Sequence, residues 1–355
     1  MKRIEIYDKI VSAFEHDFSW LGKQFAEEFL MSVASWNIQQ FSNPPFRVRR
    51  HLLLYWKAGW LKSSLLTKAF VLLGNDLCTM MSDVTNAALR GTVDYGKFVS
   101  PFTLKRPFSI CTEFGQITSG GDSTELVQKL LNVLEEGVVT VSLGKISQLS
   151  KTAKDKAEEE YGITFIDDNT FTYRTNWVLL AGTYNKRFLI DNAFESRFNL
   201  VVPEKPLNSL LTKHIVNTTP QLIDEETKYE FRRAIVEKNE VRSDVKLPDE
   251  IFDLDSELDP RRCSYLLSYK MCRAWWGIKT ESEQLINLLT ELKKRTDSIW
   301  KSADDKVFEV IENEPLSADE IAKVTGLSKR QVYYSLKNIR ASRIIEDGKA
   351  KWKII

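Results

Sequence analysis

The chain has 355 residues, a length that suggests two or three domains and a core large enough to need no covalent staples. Its 50 Lys and Arg against 49 Asp and Glu leave a net charge of +1, so any surface for a polyanion must be local, and 43% hydrophobic content excludes disorder. Four cysteines (Cys78, Cys111, Cys263, Cys272) form no CxxC and only three histidines accompany them, which argues against a disulfide framework and a zinc site; with no membrane-length apolar run and no signal-peptide core in MKRIEIYDKI, a cytoplasmic protein is expected.

In chain order, residues 1–42 carry apolar positions at helical spacing (Ile6, Ile10, Phe14, then Phe18, Leu21, Phe25, Phe29, Val33), which predicts two amphipathic helices ended by Pro44-Pro45. HLLLYW (51–56) reads as a strand, followed by a turn at Gly59 and the helix-like run SSLLTKAFVLL. PFSICTEF (107–114) is a buried strand entered from a proline and left at Gly115; TELVQKLLNVLEE (124–136) is a helix and VVTVSL (138–143) a strand. A charged stretch, KTAKDKAEEE (151–160), precedes GITFIDDNTFTY (162–173), whose alternation around Asp168-Asn169 predicts a hairpin, and WVLLAGT (177–183) is another buried strand. Strands interleaved with helices out to about residue 203 predict an α/β layer with a mainly parallel sheet.

From 207 to 300 the pattern is helical, interrupted by the acidic stretch 241–260. Residues 301–313 read as a helix, Ser317 caps a second that ends at Gly326, and Ser328 caps a third, KRQVYYSLKNIRAS. RIIEDGKAKWKII then forms two short strands around Asp347-Gly348, so a winged helix-turn-helix is expected at the C-terminus.

Four places carry candidate chemistry. A phosphate-binding loop needs inward backbone N–H groups at a helix N-terminus, a lysine for the terminal phosphates and a hydroxyl for magnesium. WKAGWLKSS (56–64) offers Gly59 for the turn, Trp60, Leu61 and Ser64 as loop neighbours, Lys62 as the lysine and Ser63 as the magnesium ligand. Trp56 and Leu61 stand where the standard pattern has glycines, so an ordinary strand-to-helix turn is the competing reading. Glu113, at the end of PFSICTEF, lies where phosphoryl-transfer enzymes place the group that polarises the attacking water; the alternative is a surface glutamate. WVLLAGTYN brings Thr183 or Asn185 to the same edge, and Arg197 in AFESRFNLVV could act on a neighbour's γ-phosphate or be a solvated arginine.

In this order the motifs resemble those of an AAA+ ATPase, and more narrowly the minichromosome maintenance (MCM) replicative helicases. AGWLKSSLL resembles their phosphate loop, residues 82–115 the segment leading to their Walker B strand, FTYRTNWVLLAGT their sensor-1 strand and FESRFNLVV their arginine-finger motif. ELVQKLLNVLEEGVVTVSLGKIS resembles the segment before their pre-sensor hairpin, and DPRRCSYLLSYKMCRAWWG (259–277) resembles the sensor-2 helix, with Arg261 at the matching position and Arg262 an alternative. Two departures stand out: Thr112 replaces the Walker B aspartate, which should weaken the hold on Mg2+, and some 45 helical residues stand where the family carries a larger DNA-binding domain.

The resemblance implies an AAA+ P-loop NTPase core over 46–206, a helical lid over 207–298, a helical N-terminal segment over 1–45 and a winged helix over 299–355. It implies ATP and Mg2+ as cofactors, self-association into a hexameric ring with Arg197 and Arg261 acting across the interface, and DNA and other replication proteins as partners. Locally, Ser328–Lys353 carries eight basic residues against Glu346 and Asp347, a net +6. Lys329, Arg330, Gln331, Tyr334 and Lys337 are therefore expected to reach DNA from the third helix, and Lys349 and Lys351 from the wing. Lys145 and Lys151 are the candidates for a channel-facing contact. Two competing functions remain: an ATP-switched initiator or loader with slow turnover, which Thr112 favours, and a non-catalytic DNA-binding assembly or regulatory factor, which Trp56 favours.

Overall fold

A computed structural model describes the chain except for residues 43–45, 82–90, 115–129, 131–132, 136, 145, 184–196, 240–245, 255–259, 291–306, 309, 313–314, 326, 340, 347–348 and 354–355. The side chains of 253–254, 261, 346, 349 and 353 also lie outside that description. Lys145 and Asn185 among the expected site residues, and the side chains of Arg261 and Lys349, therefore fall beyond the described residues. The chain divides into two compact units, residues 1–286 and 287–355.

In the first unit, α1 (Arg3–Phe41) is one helix interrupted at Ser19, whose φ of 56° and ψ of −149° are non-helical. Phe14 and Phe29 have ring centroids 6.4 Å apart. Fifteen residues of straight helix would separate them by about 22 Å, so the two arms fold back on each other at Ser19. The two helices expected from the apolar spacing are these arms. The aromatic stripe of each (Phe14, Phe25, Phe29) is fully buried.

β1 (His51–Tyr55) leads through a loop into α2 (Lys62–Leu73), followed by β2 (Cys78–Met81). A hairpin of β3 (Thr92–Asp94) and β4 (Lys97–Val99) and a helical turn α3 (Phe102–Lys105) precede β5 (Phe108–Cys111). Next come β6 (Val138–Ser142), α4 (Lys151–Tyr161), β7 (Thr164–Phe165) and β8 (Thr170–Arg174), then β9 (Val178–Thr183) and β10 (Phe198–Val201). Five of these strands form a wholly parallel sheet in the order β10-β1-β9-β5-β2. β5, β9 and β10 are buried along their whole length, and β1 in four of its five residues, because helices cover both faces of a parallel sheet. β2 has a broken burial pattern, which is why its apolar signal is weak in the sequence.

β6, β8 and β7 form a separate antiparallel sheet inserted between β5 and β9 in sequence. It has its own core of Val141, Ile146, Ala157, Phe171 and Tyr173 with Val93 from the β3–β4 hairpin. The hairpin expected around Asp168-Asn169 is β7–β8, and Lys154 on α4 pairs with Asp168 at its tip (3.2 Å). Helices α5 (Ser209–Asn217), α6 (Glu225–Val236), α7 (Asp249–Leu254) and α8 (Pro260–Trp275) follow, and the unit closes within a helical stretch whose residues 282–286 belong to it.

α1 is built into this core. Asn37 donates from its amide to the carbonyls of Ile235 (2.7 Å) and Glu237 (2.9 Å), and the Trp276 indole donates to the Leu30 carbonyl (2.9 Å). Phe231 and Trp276 stack in parallel beside Phe29. The N-terminal segment is thus part of the same packed body as the sheet.

His51, on β1, is buried with both ring nitrogens occupied: Nδ1 accepts from the Leu179 amide (3.0 Å), so Nε2 carries the proton facing the Leu134 carbonyl (3.0 Å). Burial, and then the charges of Arg47 and Arg49, push its pKa well below the ordinary value. The unfolded chain binds the proton first as pH falls through about 6.5, so His51 supports the fold above that pH and costs stability below it. We expect acid destabilisation steepening by up to ~1.4 kcal/mol per pH unit below about 6.5, a slope that His51→Gln removes in paired urea titrations. Identical slopes in both proteins would contradict this assignment.

In the second unit, α9 (Ala318–Thr325) and α10 (Lys329–Asn338) precede an antiparallel ribbon of β11 (Ser342–Glu346) and β12 (Lys349–Lys353). Ser317 and Glu320 exchange hydrogen bonds at the start of α9, and Ser328 and Gln331 do so at the start of α10. Val307, Ile311, Ile321, Val332 and Leu336 form the small core. Among the described residues, no helix is long and apolar enough to cross a membrane.

Candidate functional site

Every strand of the parallel sheet points its carboxyl end the same way, so the loops after β1, β5 and β9 share one edge. In such sheets the crevice at that edge is where ligands bind. After Tyr55 the chain turns through Gly59, which has a φ of +78° and open space around it, to Leu61, which has a φ of 62°. Leucine in this left-handed conformation costs about 1 kcal/mol that glycine would avoid. The loop therefore keeps the backbone path of a glycine at this position without the glycine.

α2 starts directly after Leu61 with no side-chain cap, and its first internal bond runs from the Leu65 amide to the Leu61 carbonyl (2.9 Å). Its leading amides and the exposed hydroxyls of Ser63 and Ser64 thus stand at a helix N-terminus, where an anion is favoured. Lys62, only 4% exposed, turns its ammonium back into the loop. It donates to the carbonyls of Trp56 (2.7 Å) and Lys57 (3.0 Å) and lies 5.5 Å from the Trp56 ring centroid. The Trp56 indole in turn donates to the Trp60 carbonyl (2.5 Å), so the loop closes around the lysine. Burial lowers the Lys62 pKa, and the Glu113 charge partly restores it. Glu113, half-buried two residues past β5, stands at the same carboxyl edge of the sheet.

β9 completes the convergence. Thr183 is fully buried and level with Tyr55 across the ladder. Beside it, Gly182 is needed for close approach: a Cβ there would lie 3.0 Å from the Thr112 carbonyl and 3.5 Å from the Lys62 Cβ. Lys62, Ser63, Ser64, Glu113 and Thr183 are therefore brought together, with Gly59, Trp60 and Leu61 forming the loop.

Two clefts flank the loop. One, of about 480 Å³, is bounded by Ser63, Ser64, Thr67, Phe18, Ile215 and Pro220, with Asp17 and Lys68 paired at 2.5 Å on its wall. Burial would raise the Asp17 carboxyl, but the Gln221 amide, Lys68 and His16 outweigh it and hold the pKa low. The other, of about 500 Å³, runs along Lys57, Trp60 and Leu207. Asp17 and Ile215 are absent from the sequence reading, and Phe18 enters it only as an apolar helix position. Ser64, Thr67 and Lys68 share a face of α2 by spacing, yet Asp17 lies 51 residues away from Lys68, and no local signal joins them.

Arg197 is not part of this cluster. It immediately precedes β10, whose Phe198 pairs in register with His51, the first residue of β1. It thus lies at the amino edge, roughly one strand length, about 15 Å, from the Lys62 edge. There its guanidinium is ion-paired with Glu135 and its carbonyl accepts from Arg47 (3.4 Å). Arg261 falls in the first turn of α8. Among the described residues, no group of three or more His, Cys, Asp or Glu side chains could hold a metal ion. The cysteines carry no disulfide, and burial pushes the thiols of Cys78, Cys111 and Cys272 up to about 12, so they are unreactive.

In the second unit, Lys329 pairs with Asp319 (2.5 Å), and the Gln331 amide is occupied by the Ser328 cap. Arg330 lies over the Tyr334 ring at 5.8 Å, with Tyr334 more than half exposed. Arg330, Tyr334 and Lys337 recur at helical spacing on one exposed face of α10. On the ribbon, Lys351 pairs in register with Ile344 and Lys349 with Glu346. Lys151 is the exposed first residue of α4, in the other unit. No protein-family model matches the sequence, and no curated protein matches it.

Proposed function

We propose that this chain is an AAA+ ATPase of the type resembling the MCM helicases, coupling ATP binding and hydrolysis to movement on DNA from a hexameric ring in the cytoplasm. The observation that carries the reading is the buried Lys62 ammonium at the carboxyl edge of the parallel sheet, bonded among the described residues to the carbonyls of Trp56 and Lys57, with Glu113 and Thr183 at the adjoining strand ends. A buried cation without an ion-paired carboxylate, at an uncapped helix N-terminus, is a receptor for phosphate.

The donor set fits a nucleoside triphosphate. Lys62 and the first amides of α2 would hold the β and γ phosphates, and a flanking cleft beside α2 is wide enough for the nucleoside. Mg2+ is commonly held by one or two carboxylates, phosphate oxygens and water. Ser63 offers a hydroxyl and Glu113 a carboxylate at this edge, while Thr112 adds no charge. Glu113 would orient and deprotonate the attacking water, and Thr183 would position it. Arg197, at the opposite edge, would serve a neighbouring copy, together with Arg261 from α8. Residues 299–355 would act as a winged helix, with Arg330, Tyr334 and Lys337 toward DNA.

Thr112, half-buried at the end of β5, favours the second reading, an ATP-switched initiator or loader with slow turnover. One pair of assays separates them. For a motor, Glu113→Gln keeps the ATP-dependent thermal shift and loses DNA-stimulated hydrolysis by about 100-fold or more. Tight ATP binding with no DNA-stimulated turnover in the unmodified protein selects the switch, and absence of any ATP-dependent shift refutes both. Mixing Arg197→Ala with Lys62→Ala subunits should restore hydrolysis that neither has alone; full activity in each separate variant excludes the shared site.

A further inference from the structure

The cleft of about 480 Å³ beside α2 opens directly from the end of the loop that holds Lys62. Ser63 and Ser64, at the N-terminus of α2, line it, and Thr67 and Lys68 continue that wall along the helix. The other walls bring Phe18 from the turn of α1 and Ile215 from α5. Both are apolar, only partly buried, and packed on the rim of the main core. The Phe18 ring centroid lies 5.8 Å from the Lys68 ammonium, and Lys68 follows Ser63 by about 7.5 Å of helix rise. The cleft therefore grades from helix amides and exposed hydroxyls at one end to aromatic and aliphatic carbon at the other. Phosphate, sugar and base succeed one another in the same order in a nucleotide, and the volume falls within the roughly 300–1,000 Å³ of small-ligand sites.

The turn of α1 is fastened to α2 and α5. Asp17 is buried, and its carboxylate accepts from the Lys68 ammonium (2.5 Å) and the Gln221 amide (2.7 Å). Lys68 also donates to the Ala13 carbonyl (2.8 Å), and the His214 ring on α5 bonds the His16 carbonyl (2.8 Å). The chain then reverses at Ser19, directly after Phe18. Asp17 and Lys68 are thus engaged with each other and with the backbone, and act on the cleft through the wall they fix. We propose that this cleft takes the nucleoside of a nucleoside triphosphate, with the base lying on Phe18 and Ile215, and that Asp17 and Lys68 are positioning residues that hold Phe18 against α2. The inference rests on the reading of Lys62 as a phosphate receptor, and it decides which of the two clefts flanking the loop the base occupies.

Calorimetric titration of the full chain with Mg2+-ATP and, separately, with inorganic tripolyphosphate tests it. Phe18→Ala should weaken ATP about tenfold, the scale of one lost base–aromatic contact, and leave tripolyphosphate unchanged. Lys68→Met, which frees the α1 turn, should give a smaller loss with the same selectivity, and an unchanged ATP affinity there overturns the positioning role. Should Phe18→Ala fail to fold, Thr67→Trp, which fills the cleft from an exposed helix position, must produce the selective loss. ATP affinity unchanged in Phe18→Ala or Thr67→Trp, or ATP and tripolyphosphate weakened together, overturns the proposal. A selective loss in Trp60→Ala instead would move the base to the cleft along Lys57 and Leu207 and overturn it equally. A parent protein that binds tripolyphosphate, and ATP no more tightly, keeps the phosphate site and loses the nucleoside cleft. One that binds neither refutes the nucleotide reading itself, and the cleft with it.

Discussion

On the proposed nucleotide reading, Lys62→Ala should lose the ATP-dependent rise in melting temperature, and its affinity for ATP should fall at least ~100-fold, equivalent to about 2.7 kcal/mol. The size follows from where the ammonium sits. It is 4% exposed and bonded to two carbonyls, so the fold already bears the cost of burying a charge without a paired anion. A phosphate arriving there gains a charge-assisted contact for which that desolvation has been met in advance. The unliganded variant should melt near the parent, because two lost hydrogen bonds and one relieved buried charge nearly offset each other. Thermal scans of both proteins with and without ATP read the two effects separately. A variant that keeps the full shift would place the nucleotide elsewhere.

Gly22→Ala destabilises the first unit by about 3 kcal/mol or more. Its missing Cβ would lie 2.0 Å from the Phe14 carbonyl oxygen and 2.9 Å from the Phe18 Cβ, and both obstacles belong to the other arm of α1 or its turn. Relief requires the arms to part, which would open the packing of Phe14 on Phe25 and Phe29 (5.4 and 6.4 Å between ring centroids). Urea denaturation should show a lower midpoint with an unchanged slope. A variant as stable as the parent would mean that the first forty residues do not hold the rest together.

Much of the architecture is legible in the residues. HLLLY, FSIC and VLLAGT are continuous apolar runs too short for helices, and they are strands of a sheet covered on both faces. The caps at Ser317 and Ser328 are equally local, because each is written within four residues. The loop 56–64 is legible by residue type, through a strand, a lysine and two serines before a helix. β2 escapes notice because only Cys78 and Met81 of its four residues are buried, and Asp17 escapes because its partner Lys68 is 51 residues distant.

The sequence by itself determined the element types and the chemistry available: where strands alternate with helices, which helix begins at Lys62, and that a basic stretch closes the chain. Only the tertiary structure decided which of these groups meet. Strand order is a matter of non-local pairing, so no local period could place β9 between β1 and β5, and with it Thr183 beside Tyr55. The same pairing sets Arg197 at the opposite edge against Glu135, and it draws α1 into the core instead of leaving it as an appendage. Such contacts are selected by burial and charge summed over the whole fold, which neighbouring residues in the chain do not encode.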